Sequence, residues 1–482
     1  MTEPDVLDTH RAGGLLLRGS VLRMAGFIAA VGLSVISATL LTRYLGVARF
    51  GQYTTVLSLV LVVAAVTDGG MSTYGTREYA TRHGEDRRQF MATLLGLRVA
   101  LTLGGATLTV AFALAAGYDV ALVFGAVAAS LANVPLVFQH TLSIPLSAHL
   151  RLGTLSALEL GRQALLVAGL VALVIAKGGV LPLLTVSVVA NALLIWPTAV
   201  FVRGQISLRP ALNPRRWPPL LRSTAVFSLA AAVGTIYVFA AQILTSLVTD
   251  QHQSGLFAVS FRVFIVAGSV PGLLVGAALP LLSRAARDDT DRLAYALARI
   301  FQTALVCGVG AALGVSAGAG FVVSVIAGPK YASAAPVLAI QAWGMVGSFT
   351  VAGWSFALLA LREHRNLLAI NLMALAASLL LTLVLAGSDG AQGAAIATVG
   401  GETALALLNA VALGRRRPAY RPPWPVIGKV LIAATLTVPV AYLSPLSSFV
   451  RAALGLMLYC LLVLALRAVP EELLELLPSR RR

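Results

Sequence analysis

The chain has 482 residues, of which 58% are hydrophobic and 11% are charged, and its mean hydropathy is +0.87. About a quarter of the residues in a typical soluble domain are charged, so this composition excludes such a domain and predicts a membrane protein. In a soluble chain the net charge of +17 would indicate a nucleic-acid partner. Here we expect the basic residues to face anionic lipid headgroups, with no nucleic-acid partner. Cys307 and Cys460 lie in separate apolar stretches, so their spacing predicts neither a metal site nor a cofactor.

Apolar stretches long enough to cross a bilayer follow one another along the whole chain. A helical crossing needs about 20 predominantly apolar residues. We predict an all-α, polytopic membrane protein, because unpaired backbone groups cannot face hydrocarbon and the alternating pattern of a membrane β-barrel is absent. The predicted spans, about fourteen in number, are 23–45, 51–76, 90–116, 119–145, 153–176, 180–202, 221–249, 254–283, 293–319, 332–360, 366–386, 391–414, 426–445 and 449–468.

Basic residues divide the gaps between these spans into two sets. Every second gap is rich in arginine, and short loops rich in Lys and Arg stay in the cytoplasm. The asymmetry therefore predicts that both termini are cytoplasmic. The basic gaps contain Arg77, Arg82, Arg87, Arg88, Arg151, Arg203, Arg209, Arg215, Arg216, Arg222, Arg284, Arg287, Arg292, Arg362, Arg365, Arg415, Arg416, Arg417, Arg421 and Lys429, whereas the alternate gaps contain Arg43, Arg49, Lys177, Lys330 and Arg451.

Two longer polar gaps divide the spans into three groups. Both gaps are predicted to be cytoplasmic, and neither has the pattern of a folded soluble domain. The predicted organisation is a cytoplasmic N-terminal segment at 1–22, an N-lobe of six spans at 23–202, a linker at 203–220, a C-lobe of six spans at 221–414, a linker at 415–425, a final pair of spans at 426–468 and a cytoplasmic tail at 469–482.

One glycine-rich stretch, 299–328, leaves the count of spans open. It could hold one span followed by a re-entrant piece, or two spans. Two crossings would place the cluster Arg415–Arg417 outside, so the charge rule favours one.

Short sequence motifs repeat between the two predicted lobes. Leu41-Thr42 precedes Gly51-Gln52-Tyr53 at the junction of the first two spans, and Leu244-Thr245 precedes Gly255-Leu256-Phe257 at the junction of the seventh and eighth. In both cases a Leu-Thr pair comes before a Gly-x-aromatic motif that opens the next helix. Correspondence at equivalent positions is typical of the internal repeats of transporters and supports two pseudo-symmetric lobes.

The first of these junctions also carries the motif of a family. The run Thr42–Tyr53, TRYLGVARFGQY, resembles the opening motif of polysaccharide flippases in the multidrug/oligosaccharidyl-lipid/polysaccharide (MOP) superfamily. Shorter motifs follow in the order of that family at Asp68-Gly69-Gly70, Ala278–Arg284 and Gly328–Tyr331. The resemblance covers nearly the whole chain. One departure is that many members carry an acidic residue in helix seven where this chain has Ala240-Ala241-Gln242, which puts a cation-coupling role at that position in doubt.

The resemblance implies a transporter and not an enzyme. Proteins of the family that the chain resembles are similar to flippases that carry a polyprenyl-diphosphate-linked oligosaccharide across the bacterial cytoplasmic membrane by alternating access of the two lobes. The implied partners are this lipid-linked glycan, the lipid bilayer and, as an open point, a coupling cation.

Charged residues at membrane depth are the candidates for binding the polyanionic headgroup, because burying a charge in the bilayer costs several kcal/mol. Arg262 in helix eight is the first candidate, since no acidic residue is near it in sequence and a guanidinium can hold diphosphate oxygens in a bidentate fork. A carboxylate of the other lobe, such as Asp68, is the alternative partner. The further candidates, all near the inner ends of helices one to three, are Arg23, Asp68, Arg77 and Arg98.

Three of these candidates also have a structural interpretation. Arg23 and Arg98 are near enough to the cytoplasm for their side chains to snorkel. Asp68 could cap helix two or pair with Arg77.

Other ionisable residues lie within the predicted spans without an assigned role. Glu159 and Arg162 are three residues apart on one helix and are expected to neutralise each other. We interpret His140 as an interfacial, solvated histidine, and Glu402 in helix twelve is an acid at membrane depth.

Three other functions compete with the flippase. A polytopic glycosyltransferase or polymerase needs catalytic carboxylates or a sizeable outer loop, whereas the outer gaps are short and contain only the acids Asp119, Asp250 and Asp389. An ATP-driven transporter needs the phosphate-binding motif GxxxxGK[ST], which the sequence lacks. A cation-coupled multidrug antiporter of the same superfamily usually has twelve spans, so the two extra spans favour the flippase.

Overall fold

The computed structural model describes residues 29, 32–34, 36–149, 151–206 and 209–470. Helices make up 87% of the structure and the described residues contain no strand, which confirms the all-α fold. The helices are α1 at 36–45, α2 Val47–Asp68, α3 Met71–Thr81, α4 Gly84–Ala115, α5 Val120–Leu142, α6 Ile144–Ala148, α7 Leu152–Ile175, α8 Val180–Leu193, α9 Ile195–Phe201, α10 Trp217–Val248, α11 Gln251–Asp288, α12 Thr290–Ala317, α13 Ala319–Ile326, α14 Ala334–Gln341, α15 Gly344–Ala360, α16 His364–Arg416, α17 Trp424–Val438 and α18 Ser448–Ala465.

Eleven helical stretches among the described residues are long and apolar enough to cross a membrane. One of them is α16, which has 53 residues and is interrupted at Gly390, where the backbone is not helical (φ 58°, ψ −131°). A shorter apolar stretch, Ala232–Val248, lies within α10. These features confirm a polytopic membrane protein, while the count of fourteen spans stays a prediction.

The chain forms two compact units. The first unit comprises the described residues up to Leu45 together with Gln52–Thr235, and the second comprises Gly46–Gly51 together with the described residues from Ile236 onward.

Packing and interhelical hydrogen bonds hold the first unit together. Both matter in a membrane because lipid removes the hydrophobic driving force between helices. The core lies where α3, α4, α5 and α6 meet. Gln139 of α5 donates a hydrogen bond to the hydroxyl of Thr198 in α9 (3.2 Å), and the amide of Asn191 in α8 donates to the carbonyl of Ala132 in α5 (2.9 Å). These bonds fix four buried polar groups between neighbouring helices.

The second unit has its core among α12, α15, α16, α17 and α18. The rings of Phe301 in α12 and Trp354 in α15 stack with centroids 4.9 Å apart. The hydroxyl of Tyr459 in α18 donates to the carbonyl of Val306 in α12 (2.9 Å). The last helix is therefore bound to the second unit by a specific polar contact as well as by packing.

The glycine-rich stretch 299–328 holds one long helix and one short one. α12 continues without a break to Ala317, and α13 has only 8 residues. Gly310 and Gly314 of α12 lie against Tyr459 and Leu456 of α18. The glycines therefore belong to a helix contact in which small residues allow close approach.

Residues from three sequence motifs come together in the second unit: the Thr42–Tyr53 motif, the Gly255-Leu256-Phe257 motif and the Gly328–Tyr331 motif. Phe50 is fully buried and its ring meets the ring of Tyr331 edge-on, with centroids 6.4 Å apart. Gly51 lies so close to Gly255 that a Cβ atom on Gly51 would come within 2.7 Å of the Gly255 nitrogen and of the Gln251 carbonyl oxygen. Both glycines of the repeated Gly-x-aromatic motif are thus required by close backbone contact.

Candidate functional site

An ion pair in the first unit joins the end of α2 to α4. α2 ends at Asp68 because Gly69 and Gly70 both have positive φ (50° and 70°), which turns the chain into α3. The Asp68 carboxylate pairs with the guanidinium of Arg98 and accepts a second hydrogen bond from the Ser72 hydroxyl (3.2 Å). The structure thus brings together two of the predicted site residues.

Arg98 is almost completely buried, with 2% of its surface exposed. A guanidinium has five N–H donors, and here Nη2 donates to Asp68. The Nε and Nη1 atoms are buried and make no hydrogen bond with the described part of the chain. Two interpretations from the sequence need correction. Arg98 does not snorkel to the cytoplasm, and Asp68 pairs with Arg98 and not with Arg77, which is exposed on α3.

A second ion pair and a histidine lie near this pair. Glu159 and Arg162 of α7 form the expected ion pair, with Nε of Arg162 3.0 Å from Oε2 of Glu159. His140 of α5 interacts electrostatically with both ion pairs. The result is a cluster, here called the first-unit charge cluster, that consists of Asp68, Arg98, His140, Glu159 and Arg162.

The remaining predicted site residues do not join this cluster. Arg262 lies on α11 in the second unit and is half-buried. On the same helix, the ring of Phe261 stacks with the rings of Phe257 and Phe264. Arg23 lies outside the described residues.

Buried polar side chains also connect four helices of the second unit. The Ser260 hydroxyl on α11 bonds to the side-chain oxygen of Gln341 on α14, and the Gln341 amide donates to the hydroxyl of Thr398 on α16 (3.4 Å). Glu402 follows Thr398 by one helical turn, and the hydroxyl of Tyr237 on α10 donates to its Oε1 (3.1 Å). We call this set the second-unit polar seam.

Glu402 is the buried acid of the seam, with 8% of its surface exposed. α15 packs directly on its backbone at Gly347, where a Cβ atom would come within 2.8 Å of the Glu402 carbonyl oxygen. Where the resemblance leads one to expect an acid in helix seven, the structure has Gln242, which is buried and donates to the Ser254 hydroxyl (3.1 Å).

The sequence identified the charges and the Glu159–Arg162 pair, but it did not indicate the other partners that the structure shows. Glu402 was recognisable as an acid in an apolar helix, yet its partner Tyr237 is 165 residues away and carried no signal. In the same way, His140 carried no sign that two ion pairs lie beside it. Within the described ranges, no three His, Cys, Asp or Glu side chains are grouped so that they could hold a metal ion.

An apolar groove of about 410 Å³ lies between α4 and α5 in the first unit. Its walls are almost entirely aliphatic, so the groove can accommodate a hydrocarbon chain. The lining includes Leu103, Val110, Leu114, Val127 and Leu131.

The sequence matches a known family over more than half of its length. Residues 40–336 match the family described as polysaccharide biosynthesis protein. This match confirms the resemblance that the Thr42–Tyr53 motif indicated. The curated proteins contain no match to the chain.

Solved structures with a similar fold are membrane transporters. The lipid II flippase MurJ, in an inward closed conformation, matches with a TM-score of 0.78 and 13% identity over 93% of this chain and 99% of that one. A multidrug resistance MATE family transporter of the MOP superfamily, in an inward-facing conformation, matches with a TM-score of 0.62 and 13% identity over 83% of this chain and 98% of that one. A MOP superfamily transporter from Pyrococcus furiosus matches with a TM-score of 0.54 and 13% identity over 84% and 96% of the two chains. At this level of identity the comparison establishes the fold.

Proposed function

This chain belongs to the polysaccharide biosynthesis protein family and has the fold of MOP-superfamily transporters, and on that premise we propose that it is a flippase for a polyprenyl-diphosphate-linked oligosaccharide. It carries the glycan headgroup across the membrane by alternating access, while the polyprenyl tail stays in lipid. The observation that carries this proposal is the buried guanidinium of Arg98 in the first-unit charge cluster, whose Nε and Nη1 atoms make no hydrogen bond with the described part of the chain. Transport of this lipid by the purified protein, compared with transport of a cationic drug, tests the proposal.

A diphosphate offers the hydrogen-bond acceptors that two nitrogens of Arg98 lack in the described part of the chain. Its oxygens can accept hydrogen bonds from Nε and Nη1, and such charge-assisted bonds are roughly twice as strong as neutral ones. Asp68 neutralises the guanidinium when no substrate is bound, because a buried charge without a partner is costly. The pair therefore keeps a phosphate-binding cation at membrane depth in a stable form.

Arg262 supplies a second cation for the headgroup in this proposal. It is half-buried and lies two residues after Ser260, in the part of α11 that contributes to the second-unit polar seam. We propose that Arg98, positioned by Asp68, binds the diphosphate in the first unit, and that Arg262 is a headgroup-binding residue of the second unit. The exposed Arg77 and the N-terminal Arg23 guide the anionic headgroup toward this path.

The apolar groove between α4 and α5 supports the lipid part of the substrate. A polyprenyl chain is a long, branched hydrocarbon, and the aliphatic walls of the groove match it. We expect the protein to move the substrate without changing it, so purified protein should give no polymerised or glycosyl-transferred product.

A cation-coupled multidrug antiporter is the second candidate. The buried acid Glu402 favours it, because an acid at membrane depth can exchange a cationic drug for a coupling cation. We retain a coupling cation in the flippase proposal as well.

We also propose that the protein lies in the bacterial cytoplasmic membrane with both termini in the cytoplasm. In a variant whose two native cysteines, Cys307 and Cys460, are replaced by serine, single cysteines placed beside Arg87, Arg215, Arg287, Arg362 and Arg416 should react only with a membrane-permeant reagent. The reason is that arginine-rich short loops stay inside.

Single cysteines beside Asp119 and Lys330, in the gaps poor in basic residues, are the controls and should also react with an impermeant reagent. Labelling of the Arg416 position from outside would contradict the proposed topology.

A further inference from the structure

The ion pair between Glu159 and Arg162 of α7 is the part of the first-unit charge cluster that has no role in holding the diphosphate. The side chain of Glu159 is 46% exposed and that of Arg162 is 22% exposed, whereas Arg98 is almost completely buried. α7 begins at Leu152, so Glu159 lies about 10 Å along the helix axis, inside the apolar stretch Gly153–Ile175. A carboxylate at this depth faces water or a polar ligand, because a charge that faces lipid is costly.

The exposed side of Glu159 points away from lipid. An apolar stripe of exposed residues runs along one face of α7, as expected for the face that meets lipid, and consists of Ala157, Ala164, Ala168, Val171 and Ile175. Glu159 follows the first residue of this stripe by two positions, which places it about 200° around the helix axis, on the opposite face. His140 of α5 is also exposed and interacts electrostatically with both members of the pair. Glu159 therefore opens on the inside of the first unit, beside His140.

The α7 pair also lies near the residue that we propose to hold the diphosphate. His140 interacts electrostatically with Arg98 and Asp68 as well as with the pair on α7. Both ion pairs are thus close to the same imidazole, so a group attached directly to a diphosphate at Arg98 comes within reach of Glu159. In a polyprenyl-diphosphate-linked glycan, that group is the first sugar.

A carboxylate paired with a guanidinium suits the hydroxyl groups of a neutral sugar. The remaining lone pairs of Glu159 can accept hydrogen bonds from sugar hydroxyls, and the remaining N–H groups of Arg162 can donate to them. Arg162 already neutralises the carboxylate, so the pair needs no additional cation to balance its charge. A sugar with its own carboxylate would be repelled by Glu159, because like charges in contact are unfavourable. The pair can therefore distinguish a neutral first sugar from an acidic one.

We propose that Glu159 and Arg162 form a sugar-binding subsite that admits a neutral first sugar and rejects an acidic one. Glu159 is the specificity-determining residue, and Arg162 holds its carboxylate in place and donates to the sugar. The subsite rests on the proposed function, because a sugar reaches it as part of a lipid-linked glycan held by Arg98. It adds to that function the chemical class of the sugar next to the diphosphate.

The test uses the full-length protein in sealed vesicles and two fluorescent lipids that differ in one group. Polyprenyl diphosphate carries either a hexose or the corresponding hexuronic acid, so a carboxylate replaces the terminal hydroxymethyl group and nothing else changes. The measured quantity is the ratio of the initial translocation rates, hexose over hexuronic acid. For the wild-type protein we expect a ratio of about ten or more, because a like-charge contact of about 1.4 kcal/mol already corresponds to a factor of ten.

Two substitutions should move this ratio in opposite directions. Glu159→Gln keeps an acceptor oxygen beside Arg162 but removes the negative charge, so the hexuronic acid should move faster and the ratio should fall about tenfold. Arg162→Gln leaves the carboxylate without its counter-charge, so the ratio should rise above the wild-type value. A purely structural pair would lower both rates by the same factor. Glu85→Gln is the matched control, because Glu85 is an exposed acid at the start of α4, before the predicted span at 90–116, and its ratio should equal that of the wild-type protein.

The outcomes separate the two proposals. If the wild-type protein moves neither lipid, the proposed function fails and the subsite fails with it. If it moves both lipids at equal rates, or the hexuronic acid faster, the proposed function stands and the subsite is overturned. An unchanged ratio in Glu159→Gln also overturns the subsite. If that variant does not fold, Arg162→Gln decides: a higher ratio supports the subsite, and an equal or lower ratio overturns it.

Discussion

Replacing Asp68 by asparagine should destabilise the protein more than replacing Arg98 by methionine, although both changes break the same ion pair. Asp68→Asn leaves the guanidinium of Arg98, which is 2% exposed, buried without a counter-charge, and we expect a loss of about 3–5 kcal/mol. Arg98→Met leaves a carboxylate whose side chain is 34% exposed, so a loss of about 1–2 kcal/mol should follow. Thermal unfolding of the purified variants in one detergent, compared with the wild-type protein, measures the difference.

The combination of Asp68→Asn with Arg98→Met should be about as stable as Arg98→Met alone, because no buried charge is then left unpaired. Asp86→Asn is the control, since Asp86 pairs with Arg82 at 3.1 Å but is itself exposed. Such exposed pairs contribute about 0–1 kcal/mol. Equal destabilisation by Asp68→Asn and Asp86→Asn would show that the pair at Arg98 is not a buried pair in the folded protein.

Replacing Arg262 by alanine should reduce export of the lipid-linked oligosaccharide by about ten- to a hundredfold. Hydrogen bonds to a charged group contribute about 1.5–3 kcal/mol, and 1.4 kcal/mol corresponds to a factor of ten. Arg262→Lys should recover part of the rate, because an ammonium group keeps the charge but cannot make the bidentate fork. The measurement is the export rate in cells, normalised to the amount of protein in the membrane.

Arg284→Ala provides the matched control on the same helix. Arg284 is exposed near the end of α11 that we predict to be cytoplasmic, so its loss should leave the export rate near the parental value. Export at the parental rate by Arg262→Ala, at a normal protein level, would remove Arg262 from the proposed binding site.

Much of the fold could be predicted from hydropathy and charge, because both are properties of short stretches of sequence. Apolar length determines where a helix can cross lipid, and the structure has long apolar helices at most of the predicted positions. The predicted gap between 386 and 391 contains Gly390, where the long helix α16 is interrupted. The Asp68-Gly69-Gly70 motif likewise marks a helix end, since both glycines have positive φ.

The partners of the buried charges could not be predicted in this way. Asp68 and Arg98 are 30 residues apart, and Tyr237 and Glu402 are 165 residues apart, so no helical spacing relates them. Which charges meet depends on how the helices pack, and packing in lipid is determined by shape and small residues. Glycines such as Gly51 and Gly347 mark close contacts, but a sequence does not say which helix makes the contact.

The most direct test of the proposed function is a translocation assay with the purified protein in sealed vesicles. A fluorescent polyprenyl-diphosphate oligosaccharide is placed in both leaflets, and a membrane-impermeant reagent quenches only the outer pool. Because protein-free vesicles hold the polar headgroup in its leaflet, the account predicts that the quenched fraction rises from about one half toward completion only when the protein is present. Polyprenol without diphosphate and a cationic drug should give no protein-dependent movement. Protein-dependent movement of the drug, with the lipid-linked oligosaccharide remaining in its leaflet, would contradict the flippase proposal and favour the multidrug antiporter.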